Sequence, residues 1–152
     1  MANSRMKNVL FLLLLGLTIA ACSKSTDPTP DAGSQVAGTY TMSYVEADSA
    51  GIVLYKYTLP YTVSSTTLAG TLTARRDSAN AVFLTQTIKL TGQSDQTSII
   101  GEISLRTNGT GYDMYLSNQK IGTADGKTIS IDDQQTDATT GIKYRDILTA
   151  AK

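Results

Sequence analysis

Few side chains in this 152-residue chain carry the chemistry of catalysis. Histidine is absent, which removes the commonest general base and the commonest metal ligand together. Ser117 and Lys120 stand at Ser-x-x-Lys spacing, in which a lysine can assist a serine nucleophile, but the companion motifs of such enzymes are missing and the segment reads as a strand running into a loop. Glu46 and Glu102 are the two glutamates of the sequence. A glycosidase would need them facing across a cleft; lying in or beside strands, they read as solvated charges. Asp132, Asp133 and Asp137 offer oxygen ligands for calcium without the spacing or the glycine of a binding loop, so they read as a solvated loop. Asn108-Gly109-Thr110 fits the N-glycosylation sequon but is better explained as a turn. No catalytic, cofactor or metal site is expected.

The one residue that does point to chemistry is Cys22, the sole thiol, through what precedes it. Arg5 and Lys7, an apolar run from Val9 to Ala21, and the small Ala20 and Ala21 are the three parts of a secretory signal peptide. The run is well short of the ~20 apolar residues that cross ~30 Å of hydrocarbon, and it contains Gly16 and Thr18, so it reads as an export signal. Ile19-Ala20-Ala21-Cys22 at its end resembles the lipobox of bacterial lipoproteins. The resemblance implies diacylglyceryl transfer to the Cys22 sulfur, cleavage before it, and acylation of the new amino terminus by a fatty acid such as palmitate. Two or more acyl chains hold a protein firmly where one holds it marginally. The alternative is an ordinary cysteine near a signal-peptidase cut. Ser23 stands where an aspartate would signal inner-membrane retention, so the same resemblance favours the outer membrane and leaves its periplasmic or surface face open.

A single cysteine allows no intramolecular disulfide, so an exported domain must be held by its core alone. Residues 22–35 contain no large apolar side chain, and Pro28 and Pro30 favour an extended, solvated backbone; this stretch reads as a disordered tether. Residues 36–152 suffice for one domain. Lys plus Arg and Asp plus Glu number 13 each, and Arg5 and Lys7 lie in the leader, so the remainder is slightly acidic with no basic stripe. Nucleic acid is therefore a poor partner.

Beyond the tether, apolar residues recur at every second position, the period of a strand with one buried face. Tyr40, Met42 and Tyr44 alternate with small polar residues, and Tyr55, Tyr57, Leu59, Tyr61 and Val63 share a side of Ile52 to Val63. Pro60 cannot donate to a ladder and marks an edge, a bulge or an end there. Leu68, Gly70, Leu72 and Ala74 follow, then Val82, Leu84, Ile88 and Leu90, a face that Gln86 interrupts. Ile99, Gly101, Ile103 and Leu105 share the next side; Gly70 and Gly101 suggest bending or close backbone approach. Asn108-Gly109 predicts a type I′ hairpin into Tyr112 to Leu116. A short segment about Ile121, the Asp125-Gly126 turn, Thr128 to Ile131, a polar loop from Asp132 to Gly141, and a strand from Ile142 to Ala150 complete the chain. About eight short strands in sequential hairpins predict an all-β, antiparallel up-and-down barrel, with a β-sandwich as the alternative.

Gly38-Thr39-Tyr40 resembles the Gly-x-Trp opening of lipocalins and related calycins, with Tyr for Trp. The resemblance implies that Tyr40 closes the base of the barrel beneath a basic residue from near the last strand, for which Arg145 is the matching candidate, and that the barrel has room for an apolar molecule. Eight-stranded barrels are either filled by side chains or hold one small ligand. Tyr40, Tyr44, Tyr55, Tyr57 and Tyr61 could line such a cavity with apolar walls and orienting hydroxyls; the plainer reading is that tyrosine suits strands. The expectation is a lipid-anchored envelope protein that binds a small apolar ligand without catalysis. The alternative is an anchored domain with a filled core and a protein or glycan partner.

Overall fold

A segment that alternates apolar and polar side chains must hide one face, and a sheet that curls round on itself hides all such faces against each other. In the computed structural model, which describes residues 29–152, the segments do this as one antiparallel sheet of ten strands. They are β1 (Gly38–Ser49), β2 (Ile52–Thr58), β3 (Tyr61–Val63), β4 (Thr66–Ser78), β5 (Ala81–Leu90), β6 (Gln96–Asn108), β7 (Gly111–Leu116), β8 (Gln119–Ala124), β9 (Thr128–Thr136) and β10 (Lys143–Ala151). Strands β4 to β10 follow one another around the wall, and β1 pairs with β10 on one edge and β4 on the other. Eight strands thus close an up-and-down barrel, and the sandwich alternative is set aside. The leader, Cys22 and the first part of the tether lie outside the described residues.

β2 and β3 are additions at the seam. Gly38–Thr41 of β1 pair with Thr71–Ala74 of β4, but further along β1 pairs with β2 and the start of β4 with β3. The segment from Ile52 to Val63 divides at Leu59 and Pro60, whose peptide bond is cis, so of the edge, bulge or end that Pro60 marks in the sequence the structure shows a strand's end. Leu59 is buried there and its N–H donates to the Ser43 carbonyl at 2.9 Å.

Three further expectations are corrected. Ile99 is 71% exposed instead of sharing the inward face of Gly101, Ile103 and Leu105, because the β5–β6 register shifts between Leu84 and Thr85 and Ile100 turns inward in its place. Gly101, at that shift, has φ +130°, a conformation glycine adopts without strain. The polar stretch beginning at Asp132 is strand as far as Thr136, since pairing with Lys143–Ile147 satisfies its backbone whatever the side chains. The hairpin after β6 forms, but with Gly109 alone at positive φ (60°) and the chain reversing over Gly109 and Thr110.

The tether is also ordered further than expected. Ala32–Val36 form one helical turn, α1, with Asp31 as its N-cap accepting from Ser34 N–H at 2.7 Å. The Arg76 guanidinium holds the same carboxylate at 2.8 and 3.2 Å. Gly33 lies so close to β4 that a Cβ would stand 2.1 Å from the Ser78 carbonyl oxygen. This contact lets α1 seat Val36, fully buried, against one end of the barrel. Around it Tyr40, Met42, Leu72, Leu84, Ile103, Met114 and Ile129 fill the lower interior.

Candidate functional site

The two ends of the barrel differ. At the α1 end the Tyr40 hydroxyl donates to the Val36 carbonyl at 2.6 Å, and the Lys152 ammonium sits 5.0 Å from the Tyr40 ring centre while donating to the Ala37 carbonyl at 2.9 Å. That end is closed. Burial, with a smaller contribution from the Asp125 charge, pushes the Tyr40 hydroxyl up to about 12.

Toward the other end the interior opens into a cavity of about 250 Å³. Its walls come from six barrel strands: Val45 of β1, Gln86 of β5, Ile100 of β6, Ile121 of β8, Ile131 of β9 and Leu148 of β10, with Tyr55 of β2 at its edge. Contributions from six of the eight wall strands place it inside the barrel. It is apolar at depth and polar at the mouth, where Asp133 and Asp146 join the lining. Cross-strand register sets these two aspartates opposite each other on β9 and β10. Burial first, then the charges of Asp133 and Asp48, raises the Asp146 carboxyl above the usual aspartate value. Burial, then the Asp146 charge, raises the Tyr55 hydroxyl.

The five tyrosines do not gather in one cavity. Tyr40 belongs to the closed base, and Tyr55 alone among them lines the cavity. Tyr44 lies on the outer face, its hydroxyl hydrogen-bonded to Glu46 and its ring 5.8 Å from the Lys56 ammonium, because the register of β1 against β10 shifts between Met42 and Tyr44. Tyr57 and Tyr61 pack with ring centres 4.9 Å apart and edge a smaller hollow of about 190 Å³ with Val63, Leu68 and Leu90. Gly38 begins β1 with a Cβ position only 2.7 Å from the Lys152 side chain. Arg145 is not the cation on Tyr40. It lies toward the opposite end of β10, aligned with Asp48 of β1, and pairs with Asp132 at 2.6 and 2.7 Å. Lys152 takes the position the resemblance assigned to it.

The remaining chemistry-bearing residues are dispersed. Ser117 and Asn118 form the β7–β8 turn at positive φ, and Lys120 pairs with Asp113 at 2.8 Å. Glu102 faces outward opposite Phe83. Glu46 is the exception, since it also borders the cavity; it pairs with Lys56 at 3.4 Å, and the Tyr44 hydroxyl chiefly holds its carboxyl below the usual range. Asp132 is held by Arg145, while Asp137 caps its own turn, accepting from the N–H groups of Thr139 and Thr140. In sequence, Gln86 interrupting an apolar face was the visible sign of a wall residue at a cavity. Asp133 and Asp146 gave no such sign, sitting in a segment read as loop and in a strand with no alternation on its polar half. No protein-family model and no curated protein sequence matches the chain.

Proposed function

We propose that the protein is a lipid-anchored barrel of the cell envelope that holds one small, largely apolar molecule without catalysing its conversion. The observation that carries the ligand reading is the apolar hollow of about 250 Å³ inside a barrel whose far end is stoppered by α1 and Tyr40. Ligand pockets usually measure ~300–1,000 Å³, so this one suits a guest smaller than a typical drug molecule or a single short alkyl chain. The lipobox-like Ile19-Ala20-Ala21-Cys22 supports the anchor and the envelope location, with the outer membrane favoured. An anchored tether would enter through Asp31 and α1, at the end opposite the mouth.

Native mass spectrometry of the full chain taken from its host tests the ligand reading. A retained small mass that is lost in Ile100→Trp, where the indole would occupy the hollow, is the expected result; bare protein that also ignores an environment-sensitive apolar dye overturns it. Radiolabelled palmitate tests the anchor, with incorporation expected in the wild type and abolished in Cys22→Ser. A second reading, a protein-interaction module, is favoured by Ile52, Val53 and Leu54, three successive apolar residues of β2 that are 52–69% exposed.

A further inference from the structure

The mouth of the cavity is built at odds with folding stability. Like charges directly opposite on neighbouring strands are destabilising, yet Asp146 and Asp133 are register partners and both line the hollow. Asp133 accepts hydrogen bonds from Gln119 at 3.2 Å and Gln135 at 2.7 Å. Among the described residues Asp146 has no ion pair and no side-chain hydrogen bond. The groups that face it are Asp133 of β9, Asp48 of β1 and Tyr55 of β2, three acids or phenols and no base. Arg145, its neighbour on β10, is engaged by Asp132. Among the described residues no lysine or arginine lines the cavity.

We propose that the guest is a small apolar molecule bearing a protonated amine, its hydrocarbon part against Ile100, Ile121, Ile131 and Leu148 and its ammonium between Asp133 and Asp146 beside the Tyr55 ring. This rests on the ligand reading above and names the class of ligand. A cation there offsets the aspartate repulsion, gains charge-assisted hydrogen bonds, and meets an aromatic face that attracts positive charge. The two ends of the cavity thus select together: the depth admits hydrocarbon, and the mouth discriminates among head groups. An anionic head of the same size meets two carboxylates and is rejected, which is specificity by repulsion as well as attraction.

The test compares hexylammonium, hexanol and hexanoate, equal in chain and different in head, by calorimetric titration of the full chain in a nonionic amphipol. Hexylammonium is expected to bind at least about tenfold tighter than hexanol, the worth of one charge-assisted hydrogen bond, with hexanoate weakest. In the double variant Asp133→Asn, Asp146→Asn the amine should fall to the affinity of the alcohol. Removing the repulsion offsets the acceptor oxygen that Asp133→Asn loses toward Gln119 or Gln135, so the variant should melt close to the wild type. Equal affinity for amine and alcohol, or an amine preference that survives the double variant, overturns this inference and leaves the ligand reading standing. If none of the three binds, both fall.

Discussion

Lys152 and Tyr40 meet across the closed end of the barrel, the ammonium 5.0 Å from the ring centre, so that a residue just past β10 seals an aromatic from the start of β1. The same ring's hydroxyl reaches back to Val36 of α1. One tyrosine thereby joins helix, first strand and chain end, and its loss should be felt in all three.

Tyr40→Phe keeps the ring and deletes the hydrogen bond to the Val36 carbonyl. The expected cost near pH 8 is about 1 kcal/mol, that of one buried hydrogen bond. The wild type should also weaken in alkali. An unfolded chain releases this proton near pH ~10, whereas the folded one keeps it up to about 12. Between those values the unfolded state binds fewer protons, so stability falls as pH rises. Urea unfolding from about pH 8 upward checks both points: the Phe variant starts lower and declines less.

Gly33→Ala sets two effects against each other. Alanine is the better helix former by about 1 kcal/mol, but its Cβ would lie 2.1 Å from the Ser78 carbonyl oxygen, a backbone atom that cannot swing away. Overpacking of this kind costs about 1–3 kcal/mol or more. The clash should win, lowering the melting temperature and speeding hydrogen exchange at the Ala37 N–H, which bonds the Gly33 carbonyl. A rise in melting temperature would show that α1 is not seated.

Asp31 both caps α1 and pairs with Arg76, and the Arg76 hydrogen bond, followed by the Ser34 N–H, holds its carboxyl far below the usual range. A depressed carboxylate stabilises the fold above its unfolded value of ~3.9, and the contribution fades as pH falls toward the folded value. Asp31→Asn should therefore be less stable than the wild type at neutral pH, and the two should converge on acidification below about pH 4. Denaturation midpoints measured across that window decide it.

Ile99 and Ile103 would share a face by simple alternation, but the register shift puts them on opposite sides, 71% and 0% exposed. Ile99→Ala should change stability by no more than about 0.5 kcal/mol. Ile103→Ala should cost about 2–5 kcal/mol. Equal losses in chemical denaturation would mean that no shift occurs at Ile100.

Much of the wall was legible from residue order. Val82, Leu84, Ile88 and Leu90 repeat at period two and line one face of β5, whose bounds, Ala81–Leu90, are those the alternation marked. Alternation is a local property, and it survives until an extra residue enters a strand. The shifts at Tyr44 and Ile100 each reverse the phase, sending Tyr44 outward and Ile100 inward, and neither leaves a mark in composition. Asp31 as a cap was equally silent, because its partner Arg76 is 45 residues away.

By itself, then, the sequence determined a chain of short antiparallel strands and a preference for closure. Only the tertiary structure decided that β1 meets β4, that Lys152 and not Arg145 covers Tyr40, that four of the five tyrosines lie away from the cavity, and that Asp133 faces Asp146. Which faces are greasy depends on neighbours two residues apart. Which side chains meet depends on the register of every hairpin around the barrel, and a shift of one residue in any of them moves all that follow.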